Sequence, residues 1–265
     1  MLQPAFPTVL HKQTAETIHQ YFSVNAAVDT VLVVNSCARG HAVAESDLDF
    51  AILAKENISA SEIEAMEKNW LTYSTTNTTI INFKQSGPFA HIHLDIIKGI
   101  YKPNIIEVGE PCDDFEIEIG NQVCYSAPMG KAGTHYKDLQ KKWLPYYDEA
   151  LRVQRLEMVV NACNYDLDHI AFFIKRDLYF QAFDILCKAF KEYLQALFIA
   201  CRTYPIAYNK WIRLQVADWL NKPGLYALLP PILSVSNIEG MEIIDNVKML
   251  RTLLNNLAAE KYLPE

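Results

Sequence analysis

The feature that most constrains this chain is the run Val31-Leu-Val-Val-Asn35-Ser36-Cys-Ala-Arg39-Gly40-His-Ala-Val-Ala-Glu-Ser46-Asp47-Leu48-Asp49-Phe50. It opens with a β-branched apolar segment of the kind that forms a buried strand, then turns through a hydroxyl and a glycine. Ten residues after Ser36 (37 through 46) it reaches two aspartates set among apolar residues. Alternation along a strand sends both carboxylates to one face, with Cα atoms roughly 6.5 Å apart. Two like charges at that spacing repel by about 2.5 kcal/mol at an effective dielectric of 20. A site that keeps such a pair wants a cation, and hard oxygen ligands on a rigid element suit Mg²⁺. The turn from Ser36 to Gly40 would offer backbone N–H groups and a hydroxyl to an anionic phosphate. Arg39 either grips a phosphate bidentately or forms a surface ion pair, and the sequence leaves both open.

Around this core the first half of the chain reads as α/β. A helix is expected over about Thr14 to Phe22, strands over Thr30–Val34 and Leu48–Leu53, and a helix opening at Ser59, where Glu62 completes a capping box, and running to about Trp70. Thr78–Phe83 and Ala90–Ile97 read as two further strands around the turn Gln85-Ser86-Gly87-Pro88. In the second of these, alternation puts His91, His93 and Asp95 on one face and Ile92, Leu94 and Ile96 in the core. That trio reads as a His-His-Asp metal site, as a third ligand or general base (Asp95) with His93 beside it, or as an exposed polar face.

From about His135 the periodicity becomes helical. Leu178–Cys201 is apolar on several faces, as a central helix would be, and Trp211–Leu220 and Ile238–Ala259 read as amphipathic helices. Asp166-Leu-Asp168 repeats the Asp-x-Asp pattern, but in a helix the two side chains diverge, and it reads as helix surface. Between Thr203 and Trp211 the segment Tyr204-Pro205-Ile-Ala-Tyr208-Asn209-Lys210 joins two helices, either as a packed aromatic corner or as a phosphate grip through Lys210.

Composition narrows the functions. The formal charge of −7 comes without a basic block, so long nucleic acid is not expected as a partner. No stretch reaches the roughly 20 apolar residues that span a bilayer, and the first residues lack a secretion signal, so no membrane partner and a soluble, cytoplasmic protein are expected. The six cysteines form no CxxC pair, which argues against structural zinc. Surplus apolar faces on the helices would be buried by a homodimer.

The run from Val31 to Phe50 resembles the signature of the polymerase-β-like nucleotidyltransferase superfamily. That signature is an apolar residue, Gly, then Gly or Ser, a spacer of about ten residues, and Asp-hydrophobic-Asp/Glu between hydrophobics. Asn35-Ser36, Ala38-Arg39-Gly40 and Ser46-Asp47-Leu48-Asp49-Phe50 map onto it, with Asn35 in place of the usual first glycine. Asn is the non-glycine residue that best tolerates a left-handed turn. The resemblance implies an α+β fold: an N-terminal nucleotidyltransferase α/β domain with a mixed sheet (1–130), then an all-α helical bundle (131–265), the order found in bacterial aminoglycoside and lincosamide nucleotidyltransferases. It implies Asp47, Asp49 and Asp95 as catalytic carboxylates and ligands of two Mg²⁺ ions, with Asp95 either a metal ligand or the general base. It implies Asn35, Ser36, Arg39, Ser46 and Lys210 as contacts to a nucleoside triphosphate, ATP being the commonest donor. The expected reaction is transfer of a nucleotidyl group to a hydroxyl of a small molecule, an antibiotic among the candidates. Nucleotidylation of a protein, or a degenerate nucleotide-binding module acting through a partner, are the alternatives.

Overall fold

The computed structural model describes residues 2–104, 109 and 112–260, with side chains to 257. The chain forms two compact units, Met1–Lys102 with Glu118–Leu144, and Pro103–Ile117 with Pro145–Glu265. The single division expected near residue 130 is simpler than this, because the chain leaves the first unit at 103 and returns to it at 118 before the helical segment begins.

The first unit runs α1 (Val9–Ser23), β1 (Val28–Val33), α2 (Asn35–Arg39), β2 (Leu48–Ala54), α3 (Ala60–Thr76), α4 (Thr78–Lys84) and β3 (Ile92–Ile97). After α5 (Phe115–Ile119), which spans the junction of the units, a π-helical turn (Gly120–Cys124), β4 (Ala127–Pro128) and α6 (Thr134–Trp143) complete it. The four strands make one mixed sheet in the order β3-β2-β1-β4, with β2 parallel to β3 and antiparallel to β1.

Strand β2 is buried at every position. One of its faces carries Leu48, Phe50, Ile52 and Ala54, which pack with Val31 and Val33 of β1 against Ala15, Ile18 and Phe22 of α1 and Phe83 of α4. The other face carries Asp49, Ala51 and Leu53. There α6 lies along β1, and its Leu139 comes so close to Gly99 that a Cβ on that glycine would stand 2.6 Å from Leu139 Cδ1. The start of α6 is fixed from β1, where the Asp29 carboxylate accepts N–H bonds from His135 and Tyr136, both at 3.1 Å.

Local signals set most of these elements. Thr8 caps α1 by accepting from His11 N–H at 3.2 Å, and the Ser59–Glu62 capping box opens α3 as expected. The helix then continues past Trp70 to Thr76. The strand expected at Thr78–Phe83 is instead helix α4. Asn77 caps it by accepting from Ile80 N–H at 3.2 Å, and Ile80 and Phe83, three residues apart on one helix face, are buried against α1. A cap and a core-facing pair thus outweigh the β-branched composition of this short run.

The second unit is helical. Helices α7 (Glu149–Ile174) and α8 (Tyr179–Ala200) pack along one another, and α9 (Pro223–Ile232) and α10 (Glu242–Glu260) close over them. Leu156, Val159, Cys163, Leu167, Ile170 and Ile174 form the inner stripe of α7 at steps of three and four. Between α8 and α9 the helix expected at Trp211–Leu220 is mainly a π-helical segment, Leu214–Trp219.

Two charged features mark this unit, and the first corrects the reading of Asp166 as helix surface. Asp168 stays on the surface, paired with Arg251 at 2.7 Å, but Asp166 is buried and meets Lys188 of α8 at 2.9 Å. Residues two apart on a helix point in different directions, so one of the pair turns inward. More deeply, Arg155 is 1% exposed between two buried carboxylates, meeting Asp113 at 2.6 Å and Glu116 at 2.7 Å. Gln195 donates to both carboxylates at 2.9 and 3.0 Å, and the Tyr147 hydroxyl donates to Glu116 at 2.9 Å. Removing the cation strands two buried negative charges, a loss of about 3–5 kcal/mol for such pairs. Urea unfolding of Arg155→Ala should therefore show a loss of that size, and a change below about 1 kcal/mol would mean that the cluster is not a structural anchor.

Candidate active site

The site is built where β1 ends and β2 begins. Strand β1 runs straight into Asn35, whose backbone takes a left-handed conformation (φ 56°), as the sequence reading required of the residue standing at the usual glycine position. The Asn35 side chain hydrogen-bonds to the Asp49 carboxylate, and Val34 N–H donates to Asp49 O at 3.0 Å. Helix α2 follows for five residues and stops at Gly40, which at φ 72° donates back to Ser36 O.

Ser36 sits in the first turn of α2. Apart from the neighbouring Cys37 thiol, its hydroxyl is buried without a hydrogen-bond partner. Val34, at the cap position, adds no side-chain bond to the first N–H groups of the helix. A buried hydroxyl met only by a thiol, at the start of a helix that no side chain caps, is the chemical complement of a phosphate oxygen. Arg39 at the other end of α2 donates to Asn121 Oδ1 at 3.0 Å, while its Nε is buried without a partner. Burial lowers the Arg39 pKa, and the nearby charge of Asp49 works in the opposite direction.

Asp47 and Asp49 stand at the entry to β2 and face the same way. Asp49 is buried while the Asp47 side chain is 40% exposed. Burial, reinforced by the charge of Asp47, pushes the Asp49 pKa up to about 6 even though Asn35, His93 and Arg39 all favour its ionised form. The parallel pairing of β2 and β3 sets Asp49 opposite His93 and Ala51 opposite Asp95. His93 Nε2 lies 3.5 Å from Asp47 Oδ2. One potential ligand atom from each of Asp47, Asp49 and His93 falls within 4.8 Å of the others. Two ligands at about 2.1 Å from an ion can be no more than about 4.2 Å apart, so small side-chain rotations would close this group on a cation.

The expected site residues are therefore placed unevenly. Asn35, Ser36, Asp47 and Asp49 come together, with Arg39 close enough for Asp49 to influence its charge. Asp95 shares the exposed face of β3 but stands outside the converging group, whose third member is His93. Sequence alternation put His93 on the correct face, but only the register across two strands shows that it is the residue opposite Asp49. Ser46 has a turn-forming role: its Oγ accepts from Val43 N–H at 2.9 Å, and its carbonyl accepts from His11 Nε2 at 2.9 Å. Lys210 belongs to the helical unit, with an exposed side chain. The corner that carries it is knit by Gln215, which donates to Ala207 O at 2.9 Å and Lys210 O at 2.8 Å, and packed by buried Tyr204 and Tyr208. Asn121 was not legible in advance, since nothing in its surroundings marks it as the acceptor for a side chain 82 positions earlier.

Residues 16–102 match the family model described as Polymerase beta, Nucleotidyltransferase. The match runs from within α1 to just beyond β3 and includes Asn35, Ser36, Arg39, Asp47, Asp49, His93 and Asp95. Comparison with curated proteins gives no match.

The raised pKa of Asp49 has a consequence for stability. An unfolded aspartate titrates near 3.9, so between about pH 4 and 6 the unfolded chain gives up this proton before the folded one does. The folded state then binds more protons, and stability falls as pH rises through that window before levelling off above it. Asp49→Asn removes the penalty. In metal-free protein the variant should gain about 1–3 kcal/mol over wild type at pH 7, with the advantage shrinking toward zero near pH 4. Urea unfolding at several pH values checks this, and a difference independent of pH would refute it.

Proposed function

We propose, from the match of residues 16–102 to the polymerase-β nucleotidyltransferase model, that the protein transfers AMP from ATP to a hydroxyl of a small-molecule acceptor in the cytoplasm. The observation that carries this reading is the meeting of Asp47, Asp49 and His93 beside a turn whose Ser36 hydroxyl is buried with only the Cys37 thiol as a partner. One half of that arrangement suits a divalent cation and the other suits the phosphates that such a cation accompanies.

In this reading Asp47 and Asp49 hold Mg²⁺ or a similar ion, which when bound would neutralise charge on the triphosphate and lower the cost of pyrophosphate departure. Ser36 and the first N–H groups of α2 bind and orient the phosphates, and Arg39 adds positive charge beside Asp49. The acceptor oxygen attacks the α-phosphorus and forms the new P–O bond. The bond from that phosphorus to the β-phosphate bridge breaks, and pyrophosphate leaves. The acceptor's proton goes to a carboxylate, for which Asp95, exposed on the same face of β3, is the candidate.

What favours an active domain over a degenerate binding module is Asn35. It keeps the left-handed geometry of a glycine, and its side chain helps hold Asp49. With Asn35 at this position the two carboxylates still converge.

Calorimetry with each of the four nucleoside triphosphates, with and without Mg²⁺, tests the reading. One triphosphate should bind only with the metal. Asp49→Ala should abolish that binding, and Ser36→Ala should weaken it by about 10-fold, the worth of one hydrogen bond to a charged group. Failure of all four to bind wild-type protein would sink the proposal.

A further inference from the structure

We infer that His93, rather than Asp95, is the third protein ligand of the cation, and that this tilts the site from Mg²⁺ toward Mn²⁺. The inference rests on the metal-dependent reading above and adds the identity of a ligand and the preferred ion.

The pairing of β2 with β3 decides the geometry. Residues opposite one another in neighbouring strands are about 4.8 Å apart, whereas a step of two residues along a strand covers about 6.5 Å. His93 is opposite Asp49, so its imidazole rises beside the buried carboxylate. Asp95 is one such step farther along, opposite Ala51, which has no donor to share. An ion that moved toward Asp95 would leave Asp47, which lies one step beyond Asp49 in the other direction. His91, the third member of the exposed face, is also outside the group, its ring centroid 6.2 Å from that of His93.

The donor set then bears on the choice of ion. Mg²⁺ favours an all-oxygen octahedral shell and holds its waters tightly. An imidazole nitrogen is a better donor to first-row transition ions than to Mg²⁺, and among these Mn²⁺ also accepts carboxylate and phosphate oxygens readily. Two carboxylates and one imidazole therefore suit Mn²⁺ better than a set of three carboxylates would. The contact between His93 and Asp47 at 3.5 Å also fits a plain surface ion pair, and the two roles separate experimentally.

The test uses full-length metal-free protein titrated with Mn²⁺ and, separately, with Mg²⁺, together with pulsed electron paramagnetic resonance of the Mn²⁺ form. Mn²⁺ should bind at least about 10-fold more tightly than Mg²⁺ and show modulation from a directly bound ¹⁴N nucleus. His93→Ala should lose the modulation and weaken Mn²⁺ by about 10-fold or more, with Mg²⁺ changed less than about threefold. His93→Asp should lose the modulation and bring the two affinities together. Asp95→Asn should keep both the modulation and the Mn²⁺ affinity. His93 is exposed, so these variants are expected to fold. Bound Mn²⁺ without nitrogen modulation, modulation that survives His93→Ala, or an Asp95→Asn loss equal to that of His93→Ala would each overturn the inference and leave the nucleotidyl-transfer reading standing. Binding of neither ion by the wild type would overturn both.

Discussion

Strand β2 holds two carboxylates against their mutual repulsion, and much of the first unit serves that placement. All seven of its residues are buried, between α1 and α4 on one side and the face along which α6 lies on the other. Slipping by one residue would turn Leu48, Phe50 and Ile52 away from α1 and carry Asp49 into the apolar core, so burial fixes the register. With register fixed, Asp47 and Asp49 have no freedom to separate, and Asp49 keeps a carboxylate whose burial opposes its charge. The neighbours soften this in a graded way. Asn35 gives a hydrogen bond, Arg39 a field and His93 a polar ring, yet the ionised pair remains short of positive charge.

The helical unit handles a similar pair in the opposite way. Asp113 and Glu116 are also two buried carboxylates on neighbouring turns of chain, but the guanidinium of Arg155 bridges them and Gln195 and Tyr147 fill further lone pairs. That cluster has little left to offer an outside cation. The contrast is informative because both environments are low in water. Where the fold can supply its own counter-charge it does so, and the pair becomes a structural anchor. At Asp47 and Asp49 it supplies only partial compensation, which is the state expected of groups whose partner arrives from solution.

The legible parts of the sequence were those in which local chemistry and core packing agree. The β-branched run before Asn35, the Ser59 capping box and the alternation in His91–Ile97 each led to the element found. Thr78–Lys84 misled because its β-branched residues were read without the cap at Asn77, which commits the backbone to a helix. The pair Asp47 and Asp49 could be read because they are two residues apart in one extended stretch at the entry to β2. Their third partner could not, since the choice between His93 and Asp95 depends on how β3 slides against β2, and two-residue periodicity is the same in either register. Asp166 shows a related limit: divergence of i and i+2 on a helix is a certainty of geometry, but which of the two turns inward depends on where Lys188 of α8 stands.

The recognised stretch ends at 102, yet the unit that holds the site does not. Strand β1 takes β4 as its second neighbour, so without residues 127 and 128 it would present an open edge. Asp29 would lose the two N–H groups of α6, and the sheet face carrying Asp49 would lose the helix along β1. Asn121 supplies the acceptor for Arg39, and Tyr125 sits close enough to affect the same guanidinium. The electrostatic setting of the turn thus comes partly from a segment that carries none of the signature residues. A family pattern marks the groups that meet substrate, whereas the desolvation that gives those groups their properties is contributed by whatever chain the fold brings over them.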